Sequence, residues 1–224
     1  MKCPRCVQKI HRGAESCPRC GFSLAHADEQ FGAVKKEMPT LADRAGLMRL
    51  AERRRVQAAM DRFSARFPEL FFVVYTGVFR QTESLRIFGF WLLNRAVFED
   101  MPDVKNDSGM ALVIDVERKS AALSFGYQLD AYLDEDDTFQ CLSKAHPHWL
   151  EGQYDLGIVA LMRMMEKILQ RKCLQAQRDP QKFARKVMPP QWDSLVKRIR
   201  STTQPRQTDP DDPEEPEEEE EGSA

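Results

Sequence analysis

The sequence has no long hydrophobic run. Its longest strongly apolar stretch lies near residues 71–79, far short of the roughly 20 apolar residues that a membrane helix needs. The first residues, Met1-Lys2-Cys3-Pro4-Arg5-Cys6, contain no apolar core of a secretory signal. Net charge is small, −2 from 33 basic and 35 acidic residues. Histidine is scarce, with four in the chain. His146 and His148 form the one close pair and flank Pro147, which reads as a helix end rather than a ligand pair. No Ser-His-Asp arrangement is visible. Only Cys141 and Cys173 fall outside paired motifs, and both sit in helical patterns as core thiols. The expectation is a soluble, cytoplasmic protein with no membrane span and no serine-hydrolase triad.

The small net charge hides an asymmetry. Residues 205–224 hold ten acids against one Arg, a segment of −9, which leaves the rest at +7. Five segments follow from composition. Residues 1–24 are a cysteine module. Residues 25–39 are a polar linker, and 40–175 hold the periodic patterns of a folded domain. Residues 176–200 read as a basic helical extension broken at Met188-Pro189-Pro190. Residues 201–224 are a Pro- and Glu-rich acidic tail, expected to be disordered.

Within the main segment, Leu47, Leu50, Val56, Met60 and Phe63 recur at helical spacing and predict an amphipathic helix over 43–65. Residues 70–76, Leu-Phe-Phe-Val-Val-Tyr-Thr, predict a strand buried on both faces. A helix is expected over 83–98. Strands at 110–116 and 121–125 are joined by a hairpin turn at Glu117-Arg118-Lys119-Ser120. Two more helices follow at 135–150 and 153–174. Helices around strands that are apolar on both faces predict a three-layer α/β/α sandwich, and the hairpin makes its sheet mixed.

The cysteine module reads C-x2-C-x10-C-x2-C through Cys3, Cys6, Cys17 and Cys20. Each CxxC turn aims two sulfurs at one point, and two turns complete a closed tetrahedral S₄ site for structural Zn²⁺. An iron–sulfur site would use the same ligands. A redox CxxC would usually appear once, opening a helix in a βαβ unit. Pro4 and Pro18 stiffen the turns, and Gly21 permits a positive φ after the second. His11 and His26 are read as exposed polar residues beside a complete ligand set.

Further on, Asp107-Ser108-Gly109 precedes an apolar strand, and a second strand ends at Gly126-Tyr127. An acidic loop follows at Asp134, and Gly152-Gln153-Tyr154-Asp155-Leu156-Gly157-Ile158 opens a helix. This order resembles the TPM domain family over roughly residues 40–172. The resemblance implies an α/β/α sandwich. Some plant members of the family are acid phosphatases, and divalent cations bind in an acidic cleft. By position the matching residues here are Asp107, Gly109 and Asp134. Ser108 stands where family members commonly have Asn. Most members also carry a secretion signal and a membrane anchor, which are not seen here.

Read from the residues alone, Asp134-Glu135-Asp136-Asp137 offers carboxylates that could bind Ca²⁺ or Mg²⁺ with Asp107. The competing reading is a helix N-cap at Asp134 or Asp136 with acids complementing the helix dipole. Asp107, two residues before a glycine, is equally a turn residue. The favoured function is a non-catalytic protein-interaction or scaffold module stapled by zinc. The alternatives are a divalent-metal-dependent phosphatase using Asp107 and Asp134, and a nucleic-acid-associated protein. The last would use the basic face at Arg49, Arg53, Arg54 and Arg55 and the basic run from Lys172 to Arg200.

Overall fold

The computed structural model describes residues 2–10, 14–80, 83–101, 106–130 and 132–181. All of them lie in the first of two units, Met1–Val187; the second is Met188–Ala224. His11, the basic stretch from 182 and the acidic tail therefore lie outside the described residues.

A four-stranded sheet has the order β2-β3-β5-β6, with β2 at Leu41–Asp43, β3 at Phe71–Gly77, β5 at Gly109–Asp115 and β6 at Ser120–Phe125. The first three run parallel, and β6 runs antiparallel to β5 through the expected hairpin. Asp115, fully buried, accepts the Glu117 N–H and pairs with Arg118, which closes that turn. Both faces of the sheet are apolar, as the strand at 70–76 predicts. Phe72, Val74, Met110, Leu112 and Ile114 point to one side. Phe71, Val73, Ala111 and Val113 point to the other.

Three long helices cover the first side: α2 at Leu50–Arg66, α5 at Glu135–Leu150 and α6 at Tyr154–Arg178. Their apolar stripes, Val56-Met60-Phe63 and Ile158-Leu161-Met165-Ile168, meet the sheet at helical spacing. The second side is covered by α3, Leu85–Arg95, and by the N-terminal residues. The result is the expected three-layer mixed α/β/α architecture. The crossovers β2-α2-β3 and β3-α3-β5 step the same way along the sheet, yet their helices lie on opposite faces. They therefore have opposite hands, and one departs from the usual right-handed rule.

The polar segment 25–39 is not a plain linker. It holds helix α1, Leu24–Phe31, and strand β1, Lys36–Met38, which pairs in parallel with β4, Ala96–Phe98. Ala27 is fully buried, and the Phe31 ring meets Phe88 edge-on at 5.1 Å. Arg95 holds Asp28 through two hydrogen bonds of 2.8 and 2.5 Å. Trp91 Nε1 donates to the Gly32 carbonyl at 2.8 Å. The helix expected over 43–65 begins only at Leu50. The Asp43 carboxylate accepts the Leu47 and Met48 N–H groups, each at 3.0 Å, and Gly46 takes φ 64°, so the chain turns before it coils. The helix expected over 83–98 stops at Arg95, where the backbone extends into β4.

Candidate metal centre

Each Cys-Pro-Arg-Cys repeat folds into the same knuckle. Cys3 N–H donates to the Gln8 carbonyl at 2.9 Å, and Val7 N–H to the Cys3 carbonyl at 2.9 Å. In the second repeat, Cys17 N–H donates to the Phe22 carbonyl and Gly21 N–H to the Cys17 carbonyl, both at 2.8 Å. The residue after each second cysteine has positive φ, 64° at Val7 and 70° at Gly21. Gly21 takes that conformation freely, whereas the β-branched Val7 is strained there.

The knuckles converge. The Sγ atoms of Cys3, Cys6, Cys17 and Cys20 lie within 4.8 Å of one another, so the set could hold a metal ion. The close pairs cross between knuckles, Cys3 with Cys20 and Cys6 with Cys17, each at 3.6 Å, and all four thiols are free. Cys3 and Cys17 are 0% and 2% exposed, and they pack with Phe22 and Ala27 into the same core as Trp91 and Phe71.

The thiols are not equivalent. Burial pushes Cys3 up to about 12. Cys17 is also disfavoured as thiolate by burial, but the Cys20 and Arg19 N–H groups aimed at its sulfur win and bring it down to about 7. A bound cation would deprotonate all four, so loading releases protons. His26 is not part of the set. Its Nδ1 meets Ser23 Oγ at 2.9 Å and accepts the Ser23 N–H at 3.3 Å, closing a cap on α1. Cys141 is buried in α5, where lost hydration pushes it up to about 12, and Cys173 is exposed. His146 and His148 lie inside α5, which runs through Pro147 to Leu150 rather than ending there.

The acidic loop is engaged in structure. Asp134 is the N-cap of α5; its Oδ1 accepts the Asp137 N–H at 2.9 Å, and Asp137 returns a bond to the Asp134 N–H at 3.1 Å. Lys172, on α6, reaches Asp134 at 3.2 Å and Asp137 at 2.7 Å. Burial opposes ionisation of Asp134, but these donors outweigh it and hold the carboxyl below the usual range. In the sequence Lys172 reads only as the start of a basic run; its pairing with Asp134, 38 residues away, carries no local signal.

Asp107 sits in a 3-10 turn, Asn106–Ser108, and lines a cleft with Asn94, Gly126 and Tyr127. The cleft has about 10 Å³ of room, enough for one water and far too little for a phosphate ester. Ser108 Oγ donates to Gln128 Oε1 at 2.8 Å and ties the turn down onto α4, Tyr127–Asp130. Gly109, matched by position to the family's motif, faces packed side chains. A Cβ there would meet Phe71 Cζ at 2.5 Å and Leu93 Cδ2 at 2.7 Å. Among the described residues, neither Asp107 nor Asp134 belongs to a group of three or more metal-ligating side chains.

Several solved structures are similar, two of them N-terminal domains. One is the N-terminal domain of a protein from P. gingivalis, 19% identical, with TM-score 0.47 over 59% of this chain and 82% of that one. The other is the N-terminal domain of a protein from Corynebacterium glutamicum, 12% identical, with TM-score 0.44 over 57% of this chain and 77% of that one. No curated protein matches the sequence. The model of the TPM domain matches residues 41–168, more than half of the chain and all four strands of its main sheet. The chain belongs to the TPM domain family.

Proposed function

We propose that this chain is a cytoplasmic binding protein in which structural zinc staples a recognition module onto a non-catalytic TPM domain. The convergence of four cysteine sulfurs within 4.8 Å carries the reading. Four thiolates around zinc leave no open position for substrate, so the metal's role is to hold shape. Free thiols so close together suit a reducing compartment. The phosphatase alternative is weakened by the engagement of Asp134 with Lys172 and by the narrow cleft at Asp107.

Folding of the module against α3 leaves the knuckle tips outside. Arg5 and Arg19, one from each repeat, are exposed. They suit a protein partner with an acidic surface. Deleting residues 1–24 would strip Phe22 and two buried cysteines from the core, so charge reversal is the cleaner test. Affinity capture from the native host is expected to retain a partner with the wild-type chain and lose it with Arg5→Glu/Arg19→Glu. Equal capture by both would refute the knuckle as recognition surface. Metal analysis should return about one zinc per chain; iron in its place would replace the zinc assignment. Hydrolysis of a chromogenic phosphate ester that needs Mg²⁺ or Ca²⁺ and is lost in Asp107→Ala would overturn the non-catalytic reading.

A further inference from the structure

A second site lies far along the sequence from the cysteines, in a groove where α2 packs on α6. On α2, Arg55 and Arg62 are seven residues apart and so share one helix face. On α6, Leu156, Val159, Ala160 and Arg163 follow the same i, i+3, i+4, i+7 rule. His148 of α5 completes the rim. The groove is half open to solvent and offers about 300 Å³, the lower end of the range for small-molecule sites.

Its charge is not balanced. Arg55 is paired with Asp155, whose carboxylate is nearly buried. Arg62 and Arg163 have no carboxylate partner among the described residues, as is also true of Arg54, Arg66 and Arg86; what sets them apart is that they line one groove. Arg62 comes from α2 and Arg163 from α6, so a dianion in the groove meets a guanidinium from each helix. Guanidinium is also the side chain best matched to the geometry of phosphate oxygens. Leu156, 37% exposed, Val159 and Ala160 add apolar lining beside Arg163 on the α6 side.

We propose that this groove binds a small soluble phosphate monoester, its phosphate between Arg62 and Arg163 and a compact apolar or planar moiety on Leu156 and Ala160. A monoester carries close to two negative charges at neutral pH, which matches the two unpaired arginines. A single groove of this size holds one such molecule rather than a length of polynucleotide backbone, which favours the small ligand over nucleic acid. This site is separate from the cysteine module, and its occupancy does not depend on the metal.

Calorimetric titration of the full chain at low ionic strength tests it, with phenyl phosphate, inorganic phosphate and neutral phenyl glucoside as probes. Phenyl phosphate is expected to saturate one site and to bind more tightly than inorganic phosphate, with the glucoside silent. Arg62→Ala/Arg163→Ala should weaken phenyl phosphate at least tenfold. Both arginines are exposed, so the fold is kept. Arg54→Ala, one residue from Arg55 and outside the groove, should leave the affinity unchanged. No saturable binding, equal affinity in the double variant, or no preference for the phenyl ester would overturn the proposal. A single-stranded oligonucleotide that binds through Arg62 and Arg163 and is not displaced by phenyl phosphate would overturn it in favour of a nucleic-acid interface.

Discussion

The two faces of the central sheet are covered by different means. On one, α2, α5 and α6 supply long apolar stripes, and the core is aliphatic and Met-rich, with Leu112, Ile158, Met162 and Met165 fully or almost fully buried. On the other, α3 is a helix of 11 residues and cannot cover the strands alone. The remaining cover comes from α1 and the cysteine knuckles, which join an aromatic cluster of Phe22, Phe31, Phe88 and Trp91. One layer is secured by hydrophobic area spread over three helices. The other relies on a segment too short to build a core of its own, closed by four sulfurs. The cysteine module is thus part of the sandwich's second helix layer, and the TPM match beginning at residue 41 omits it.

Removing the metal should separate the faces most strongly. Isolated zinc-finger peptides gain about 10–16 kcal/mol of apparent binding free energy from their metal. Cys3→Ser/Cys17→Ser, or a strong chelator, is expected to abolish amide protection in α1 and around Trp91 while β5 and α6 stay protected in hydrogen exchange. Uniform protection after metal loss would mean that packing alone holds the second layer. On the opposite face, Phe72→Ala should cost about 3–5 kcal/mol and lower global stability in denaturant titration, with no selective opening of α1. Gly157→Ala probes the α5–α6 contact, where a Cβ would run into the Trp149 indole. About 1–3 kcal/mol of destabilisation is expected there by thermal unfolding.

Acid should act on both faces. Asp28, held by Arg95, joins α1 to α3, and its carboxyl is lowered by that hydrogen bond. Asp134 is lowered despite burial by the Asp137 N–H and Lys172 on the helical face. A depressed carboxyl contributes stability above its unfolded value near 3.9, and that contribution is lost as pH falls through the folded value. Stability should therefore be flat near neutrality and drop as pH falls below about 4. Asp28→Asn should flatten part of that drop. The smallest expected effect is a gain. Val7→Gly relieves the positive φ of the first knuckle and should stabilise the loaded module by about 1 kcal/mol, read as slower metal loss to a competing chelator.

Legibility in the sequence followed the range of the signal. The strand at 70–76, the hairpin and the last two helices have local periodicity, and each appears within a few residues of its expected place. The four cysteines were legible because ligand spacing is itself local. Strands β2 and β4, three residues each, carry too little pattern to separate them from the helices beside them. Helix α1 was hidden because its polar residues have distant partners: Asp28 meets Arg95 across 67 positions, and the Gly32 carbonyl meets Trp91 across 59. The groove was missed for a similar reason. Arg62 and Arg163 stand a hundred residues apart, and of the groove's arginines only Arg55 was singled out from sequence. Asp134 was readable as a cap, and the structure adds Lys172 as the cation that holds it.

That separation along the chain has a consequence for synthesis. The cysteines span only residues 3–20 and precede α3 in the chain, so a metal ion could join them before α3 has been made. Their packing surface on α3, reached through Trp91 and Arg95, is made some 60 residues after α1. A preloaded knuckle then meets α3 as a finished piece, whereas an empty one leaves the aromatic side of a newborn sheet open to proteases and to other chains. On the zinc reading, metal supply during translation joins metal affinity in setting how much of the chain completes its second layer.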